Sequence, residues 1–221
     1  MVTANKALDC IKTVLPIMRK SLLTEWNVIR DAIDRIDVEV GAAGCAAPTG
    51  RMSQLLIVGE DRRFSSHPGV DPVALCRALC KTMGGSRQGG STIAMQLVRT
   101  ITGRYERTLV RKIREIALAM LLTRYKGRNH LPALYLWVAY YGWKMNGLRQ
   151  AYARLGIDPR NSSEFETARL VARLKYPEPR LPTDTRTRQI EGRARHLLAI
   201  VEKESRICGN QLSGETWNHS E

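Results

Sequence analysis

The sequence has no C-x-x-C pair. Its five cysteines, Cys10, Cys45, Cys76, Cys80 and Cys208, are odd in number and scattered, which excludes a zinc site built on paired cysteines and a complete disulfide framework. Cys76 and Cys80 stand one helical turn apart and are expected as small buried side chains on one helix face, and free thiols suit a reducing compartment. No apolar run approaches the ~20 residues of a membrane span. No signal-peptide pattern is visible, because Lys6, Asp9, Lys12, Arg19, Lys20, Glu25 and Arg30 interrupt the N-terminal segment. Composition alone therefore predicts a soluble chain made in the cytosol. There is no internal repeat and no alternating run long enough for a strand. Acidic residues are also short: 21 Asp and Glu stand against 35 Lys and Arg, for a formal charge of +14. That excess predicts an anionic partner, whether nucleic acid, acidic lipid or a phosphorylated substrate. The basic residues are spread along the chain, which favours a basic surface or cleft over a basic arm.

What is present is enough for one buried domain. The chain has 221 residues, 43% of them hydrophobic and 25% charged, ordinary values for a globular protein. Residues 1–49 read as amphipathic helices and a linker. Ile11, Leu15, Met18 and Leu22 form one stripe, Pro16 is a candidate kink, and the small-residue run Gly41 to Gly50 is a loop. The working domain is expected over 50–205, followed by a tail at 206–221. Within it, Asp71-Pro72 predicts a helix start, with a stop at Gly84-Gly85. Ser91-Thr92 starts a second helix that ends at Gly103. A third, over Thr108 to Tyr125, carries an apolar stripe of Ile113, Ile116, Met120 and Leu121. Further helices are expected at 131–141, at 164–174 and from Arg186 to Glu204. The fold class is all-α.

Three constellations carry chemistry. In the first, Glu60 and Asp61 follow an apolar segment and precede a glycine-containing loop with Phe64, His67, Gly69 and Asp71. Such a carboxylate can sit in a cleft wall as a general base, although any one of these residues alone also fits a solvated turn. The second is Gly89-Gly90-Ser91-Thr92-Ile93, with Gln96, Leu97 and Arg99 following. Hydroxyls and free N–H groups at a helix start suit an anion, and they also suit plain capping. The third is Arg107, then Arg111-Lys112-Ile113-Arg114-Glu115. One-turn spacing lets two guanidinium groups and a carboxylate share one helix face, as ordinary surface ion pairs also do.

Together and in this order, the three resemble the motifs of family 51 glycosyltransferases, the peptidoglycan polymerases found alone or in bifunctional penicillin-binding proteins. The pattern E-D-x-x-F-x-x-H-x-G-x-D is filled at every specified place. The second motif has Arg99 for the usual Lys and Met95 for a common Gln, and the spacing from Arg107 to Glu115 agrees. The likeness loosens afterwards. Tyr135, Leu136, Tyr141, Gly142 and Gly147 fit a fourth motif, but Trp137 replaces an Asn and an aromatic pair is missing at Leu155-Gly156. Residues Ala168 to Pro182 resemble a fifth. The likeness spans about 50–182.

The resemblance implies a lysozyme-like helical domain of the peptidoglycan glycosyltransferase type, of the monofunctional kind. It implies polymerisation of lipid II by attack of an acceptor 4-hydroxyl on the donor's anomeric carbon, with inversion and loss of undecaprenyl pyrophosphate. Glu60 would be the general base and Glu115 the second catalytic carboxylate. Asp61, His67, Ser91, Thr92, Gln96, Arg99, Arg107, Arg111 and Lys112 would bind substrate, with the basic members stabilising the pyrophosphate. It implies no cofactor and no metal site, with Mg²⁺ at most assisting. The implied partners are lipid II, the growing glycan chain, an anionic membrane surface, and cell-wall or secretion machinery. The implied place is the periplasmic face of the cytoplasmic membrane, reached by export or peripheral association. Two other readings stand beside this one. One is a relative that has lost catalysis and binds lipid-linked or cell-wall glycan. The other is a basic helical nucleic-acid binder, which has no zinc spacing, RNA-binding aromatic signature or heptad dimer in its favour.

Overall fold

The computed structural model describes the backbone of residues 2–83 and 90–214, and side chains over 20–78 and 90–206. Gly84, Gly85, Gly89 and the side chains of Ile11, Leu15, Met18 and Cys80 lie outside the described residues, so the readings placed on them stand as expectations.

Short polar caps punctuate the chain. Helix α1 (Val2–Ala42) passes through Pro16 without a break in its assignment. Thr49 then caps α2 (Gly50–Glu60) by accepting from the Met52 N–H. Asp71 caps α3 (Pro72–Met83), one carboxylate oxygen accepting from the N–H groups of Val73 and Ala74. Thr92 caps α4 (Ile93–Thr102), which closes on Gly103 at φ +63°. Thr108 caps α5 (Leu109–Lys126). Helix α6 (Leu131–Val138) carries Pro132 in its first turn, where a missing N–H costs nothing. Next come β1 (Tyr140–Gly142), β2 (Met145–Asn146) and α7 (Leu148–Leu155). A capping box of Ser163 and Glu166 opens α8 (Glu164–Ala172), and α9 (Asp184–Gly214) follows.

Helix α4 is the centre. Ile93, Ala94, Met95, Leu97 and Val98 are all buried, so it is covered on nearly every side, by α1, α5 and α6. Helices α2, α8 and α9 pack against one another beside it, and α2 also meets α6. This arrangement sets the C-terminal end of α2 close to the start of α4. Among the described residues, no helix is long and apolar enough to cross a membrane.

Several expectations change. Of the two roles open to the amphipathic N-terminal helix, covering the core or lying on a membrane surface, α1 takes the first over its described side chains, since Ile29 and Ile33 have no exposed surface. Residues 50–60 form a full helix rather than a short apolar lead-in. The helix expected over 131–141 stops at Val138 and gives way to a two-stranded antiparallel hairpin pairing Tyr140 with Asn146 and Gly142 with Met145. Helix α9 runs past the expected tail boundary at 206. Cys76 is exposed rather than buried. On α5 the expected apolar stripe is only partly buried: Ile116 packs against the core, but Ile113, Met120 and Leu121 are exposed, while Glu115, Leu118, Ala119 and Leu122 face inward.

Candidate active site

Glu60 is the last residue of α2, and its side chain retains 24% exposure at the wall of a cleft of about 620 Å³. Two groups hold it. The Gln96 side-chain N–H, from α4, donates to Glu60 Oε2 at 3.3 Å, and Arg193 Nη2, from α9, lies 3.5 Å from Oε1. Gln96 is itself oriented, because the Tyr135 hydroxyl of α6 donates to its Oε1 at 2.7 Å. A tyrosine hydroxyl that donates there turns the amide nitrogen toward Glu60. Tyr135 is buried, and desolvation, followed by the charge of Glu60, pushes its pKa up, so the hydroxyl stays protonated and able to donate.

The cleft is basic. Arg62, Arg63, Arg77, Arg99, Lys175 and Arg193 line it against three carboxylates, Glu60, Asp61 and Asp71. Asp71 is occupied by the cap of α3, with Arg63 at 3.7 Å from its other oxygen. Asp61 is occupied as well: it is buried, its Oδ1 accepts from His67 Nε2 at 2.8 Å, and its Oδ2 accepts from the Ile93 N–H at 3.2 Å. His67 is buried and takes the Gly69 N–H on Nδ1, so Nε2 carries the proton given to Asp61. Gly69 sits at φ +105°, and a Cβ there would meet Thr123 Oγ1 at 2.2 Å, so glycine is required. The Thr92 hydroxyl donates to the Gly69 carbonyl at 2.6 Å while accepting from the Met95 N–H. Asp61, His67 and Thr92 therefore form a bonded frame that fixes Glu60 relative to α4. Of the three, Asp61 and Thr92 also reach the cleft wall.

Glu115 forms a second centre. It is 3% exposed, and three cations reach it: Arg111 hydrogen-bonds to its Oε2, Lys112 Nζ lies 2.9 Å from its Oε1, and Arg99 Nε lies 3.5 Å from Oε2. Lys112 also donates to the Ser91 hydroxyl at 3.1 Å. Burial lowers the Lys112 pKa, and the bond to Glu115 works against that shift. Arg99 and Ser91 line the cleft as well, so this cluster adjoins the Glu60 site through them. Arg107 is placed differently. It precedes the Thr108 cap on an exposed loop, so it does not share a helix face with Arg111 and Glu115 as its spacing suggested.

The sequence reading missed Arg193, Tyr135 as an orienting group, and Lys175. Tyr135 fits a position of the fourth motif and Lys175 falls within the stretch resembling the fifth, whereas Arg193 left no signal. Trp137, the departure in that motif, is buried away from the cleft, and its indole N–H donates to Glu39 of α1 at 2.9 Å. A larger hollow of about 950 Å³, between α5 and the loop at 127–130, has no carboxylate in its lining and offers no general base. Among the described residues, no three His, Cys, Asp or Glu side chains are grouped to hold a metal ion.

The transglycosylase family profile matches residues 45–202. The chain is 39% identical to penicillin-binding protein 1A of Escherichia coli (strain K12) over 102 residues, 45% of this chain and 12% of that protein. It is 31% identical to penicillin-binding protein 1B of Haemophilus influenzae over 166 residues, 71% of this chain and 21% of that protein. It is 35% identical to penicillin-binding protein 1C of Escherichia coli (strain K12) over 130 residues, 58% of this chain and 17% of that protein. The matched region is thus between 12% and 21% of these relatives' length.

Proposed function

Because the chain belongs to the transglycosylase family, with its lysozyme-like helical fold, we propose that it is a peptidoglycan glycosyltransferase that polymerises lipid II, with Glu60 as general base. The observation that carries this reading is the pairing of one accessible carboxylate with a basic cleft. Glu60 keeps a face open to the cleft, while Asp61 and Asp71 have their oxygens engaged. In the proposed step the acceptor's 4-hydroxyl gives its proton to Glu60 as its oxygen bonds to the donor's anomeric carbon. The bond from that carbon to the pyrophosphate oxygen breaks, the electron pair leaves with undecaprenyl pyrophosphate, and the configuration inverts. Gln96 and Arg193 orient the carboxylate.

Glu115 suits a different task. Three cations on one carboxylate leave the cluster net positive, so Arg99, Arg111 and Lys112 are held ready for the charge that develops on the leaving pyrophosphate. Fixed charges of this kind need no reorganisation as the reaction proceeds. Arg107, exposed on the loop before α5, adds attraction for the approaching donor. The chemistry needs no nucleotide sugar and no resident metal, and EDTA treatment followed by Mg²⁺ addition measures any divalent-ion assistance. The lipid pyrophosphate sets the working place at an anionic membrane face, the periplasmic one for this substrate, where each nearby Lys or Arg contributes roughly 1 kcal/mol of attraction.

The test is polymerisation of purified lipid II, read as glycan strands on a gel. The unsubstituted protein makes strands, and Glu60→Gln lowers the rate by about 10²–10⁴. Near-normal synthesis by Glu60→Gln removes Glu60 from the role. No synthesis by the unsubstituted protein replaces the reading with that of a relative that binds without catalysis.

A further inference from the structure

Beyond the cleft, three cations from three separate segments converge on one indole. Arg154 of α7, Lys144 of the hairpin turn and Arg180 of the segment before α9 lie 4.6, 4.7 and 5.4 Å from the centroid of Trp143. They are therefore within roughly a Debye length of one another, about 10 Å at 0.1 M ionic strength, and repel. The ring's negative face offsets part of that repulsion. No carboxylate offsets the rest: none of the three cations pairs with or donates to another described residue. Some exposed arginines elsewhere are paired, as Arg195 is with Glu191 and Arg206 with Glu202.

The frame beneath the cluster is rigid. The Trp143 N–H donates to the Glu178 carbonyl at 2.8 Å, and the Glu178 N–H donates to the Tyr141 carbonyl at 3.0 Å, which ties the hairpin to the segment carrying Arg180. The Glu178 carboxylate is taken by Arg173 at 2.6 Å and so does not neutralise the cluster. Lys144 is the one described non-glycine residue with positive φ, at +57°. Glycine would fit this turn without strain, and strained positions gather at functional sites.

We propose that the Trp143 cluster is a second anion site, distinct from the catalytic cleft, which binds a phosphate or carboxylate group through the free N–H donors of Arg154, Arg180 and Lys144. Guanidinium groups suit both oxyanions because their paired N–H donors match two oxygens at once. The site does not depend on the polymerisation reading, since none of its residues belongs to the Glu60 cleft.

The experiment follows the Trp143 indole N–H by NMR in the full chain, assigned by its loss in Trp143→Phe, while inorganic pyrophosphate or citrate is titrated. Saturable movement of that resonance with either probe supports the site, and the tighter probe identifies phosphate or carboxylate as the natural group. Arg154→Gln with Arg180→Gln weakens binding by about tenfold or more, whereas the charge-matched pair Arg195→Gln with Arg206→Gln changes it less than about twofold. Lys144→Gly relieves the strained φ, so its melting temperature is equal or higher while pyrophosphate binds more weakly. No movement of Trp143, equal losses in the two charge-matched pairs, or unchanged binding in Lys144→Gly overturns the proposal.

Discussion

Tyr135→Phe removes one oxygen atom from the chain of contacts that runs from Tyr135 through Gln96 to Glu60. The lost bond is short, 2.7 Å, and its donor is buried. The net contribution of such a bond is about 0.5–1.5 kcal/mol, and an acceptor left unpaired in a buried place costs about 1–3 kcal/mol. Gln96 lines the cleft, where water can reach its amide, so the lower range applies and the stability loss is about 1 kcal/mol. In a chain of this size that lowers the melting temperature by roughly 2–4 °C. The activity loss is larger than this stability change would predict. Without the hydroxyl, nothing forces the Gln96 oxygen away from Glu60, and a flipped amide sets oxygen against carboxylate. The expected result is a kcat about tenfold lower in lipid II polymerisation, equivalent to roughly 1.4 kcal/mol in the barrier, with KM nearly unchanged. Melting curves and initial rates on the same preparation decide it. A normal kcat with the expected loss of stability would show that the hydroxyl only packs, and a change confined to KM would mean that Gln96 touches substrate rather than orienting Glu60.

Three further outcomes test other parts of the argument. Trp137→Phe loses the bond to the exposed Glu39, which costs about 1 kcal/mol in a melt and leaves the polymerisation rate unchanged; a fall in kcat would bring the altered fourth motif into the chemistry. Arg107→Ala raises the KM for the donor a few-fold and leaves kcat alone, since an exposed loop charge acts on approach, and an unchanged salt dependence of that KM would refute this role. Burial raises the pKa of both Tyr135 and Tyr141 above the ordinary value of 10.0, so above that pH the unfolded chain holds fewer protons than the folded one, and stability falls as pH rises. Chemical denaturation at pH 9 and at pH 11 measures the slope, which Tyr135→Phe makes shallower.

The parts of the fold that could be read from sequence are those decided within a few residues. Asp71 before Pro72, Thr92 before an apolar run and Gly103 after it are local instructions, and each acts in the structure as a cap. Helix α5 misled because its buried face includes a carboxylate. Charged residues normally point outward, but Glu115 is turned inward and held by Arg99, Arg111 and Lys112, which rotates Ile113 and Met120 into the open. The buried face is made by Leu118, Ala119 and Leu122 with Ile116 beside them, and its direction depends on an ion cluster that periodicity does not register. The hairpin was hidden for a simpler reason: strands of three and two residues are too short to show alternation.

Glu60 and its surroundings divide in the same way. Glu60, Asp61 and His67 lie within eight positions, and Gln96 and Arg99 stand on the helix that Asp61 anchors, so one string and one cap sketch half of the cleft. The other half comes from far along the chain. Arg193 reaches Glu60 from α9, and it is held there by donating to the Gly59 carbonyl at 2.7 Å across 134 positions. That approach requires Gly59, where a Cβ would stand 2.9 Å from Leu197 Cδ2 and 3.1 Å from Arg193 Nη2. Both neighbours are ends of flexible side chains, so a methyl group there can be accommodated by moving them. The helical preference of alanine over glycine, about 1 kcal/mol at most near a helix end, offsets much of that rearrangement. Stability therefore decides little at this position, and Arg193 decides much. Gly59 lies within α2, and what it supplies is room for a cation to reach the carboxylate from the far end of the chain.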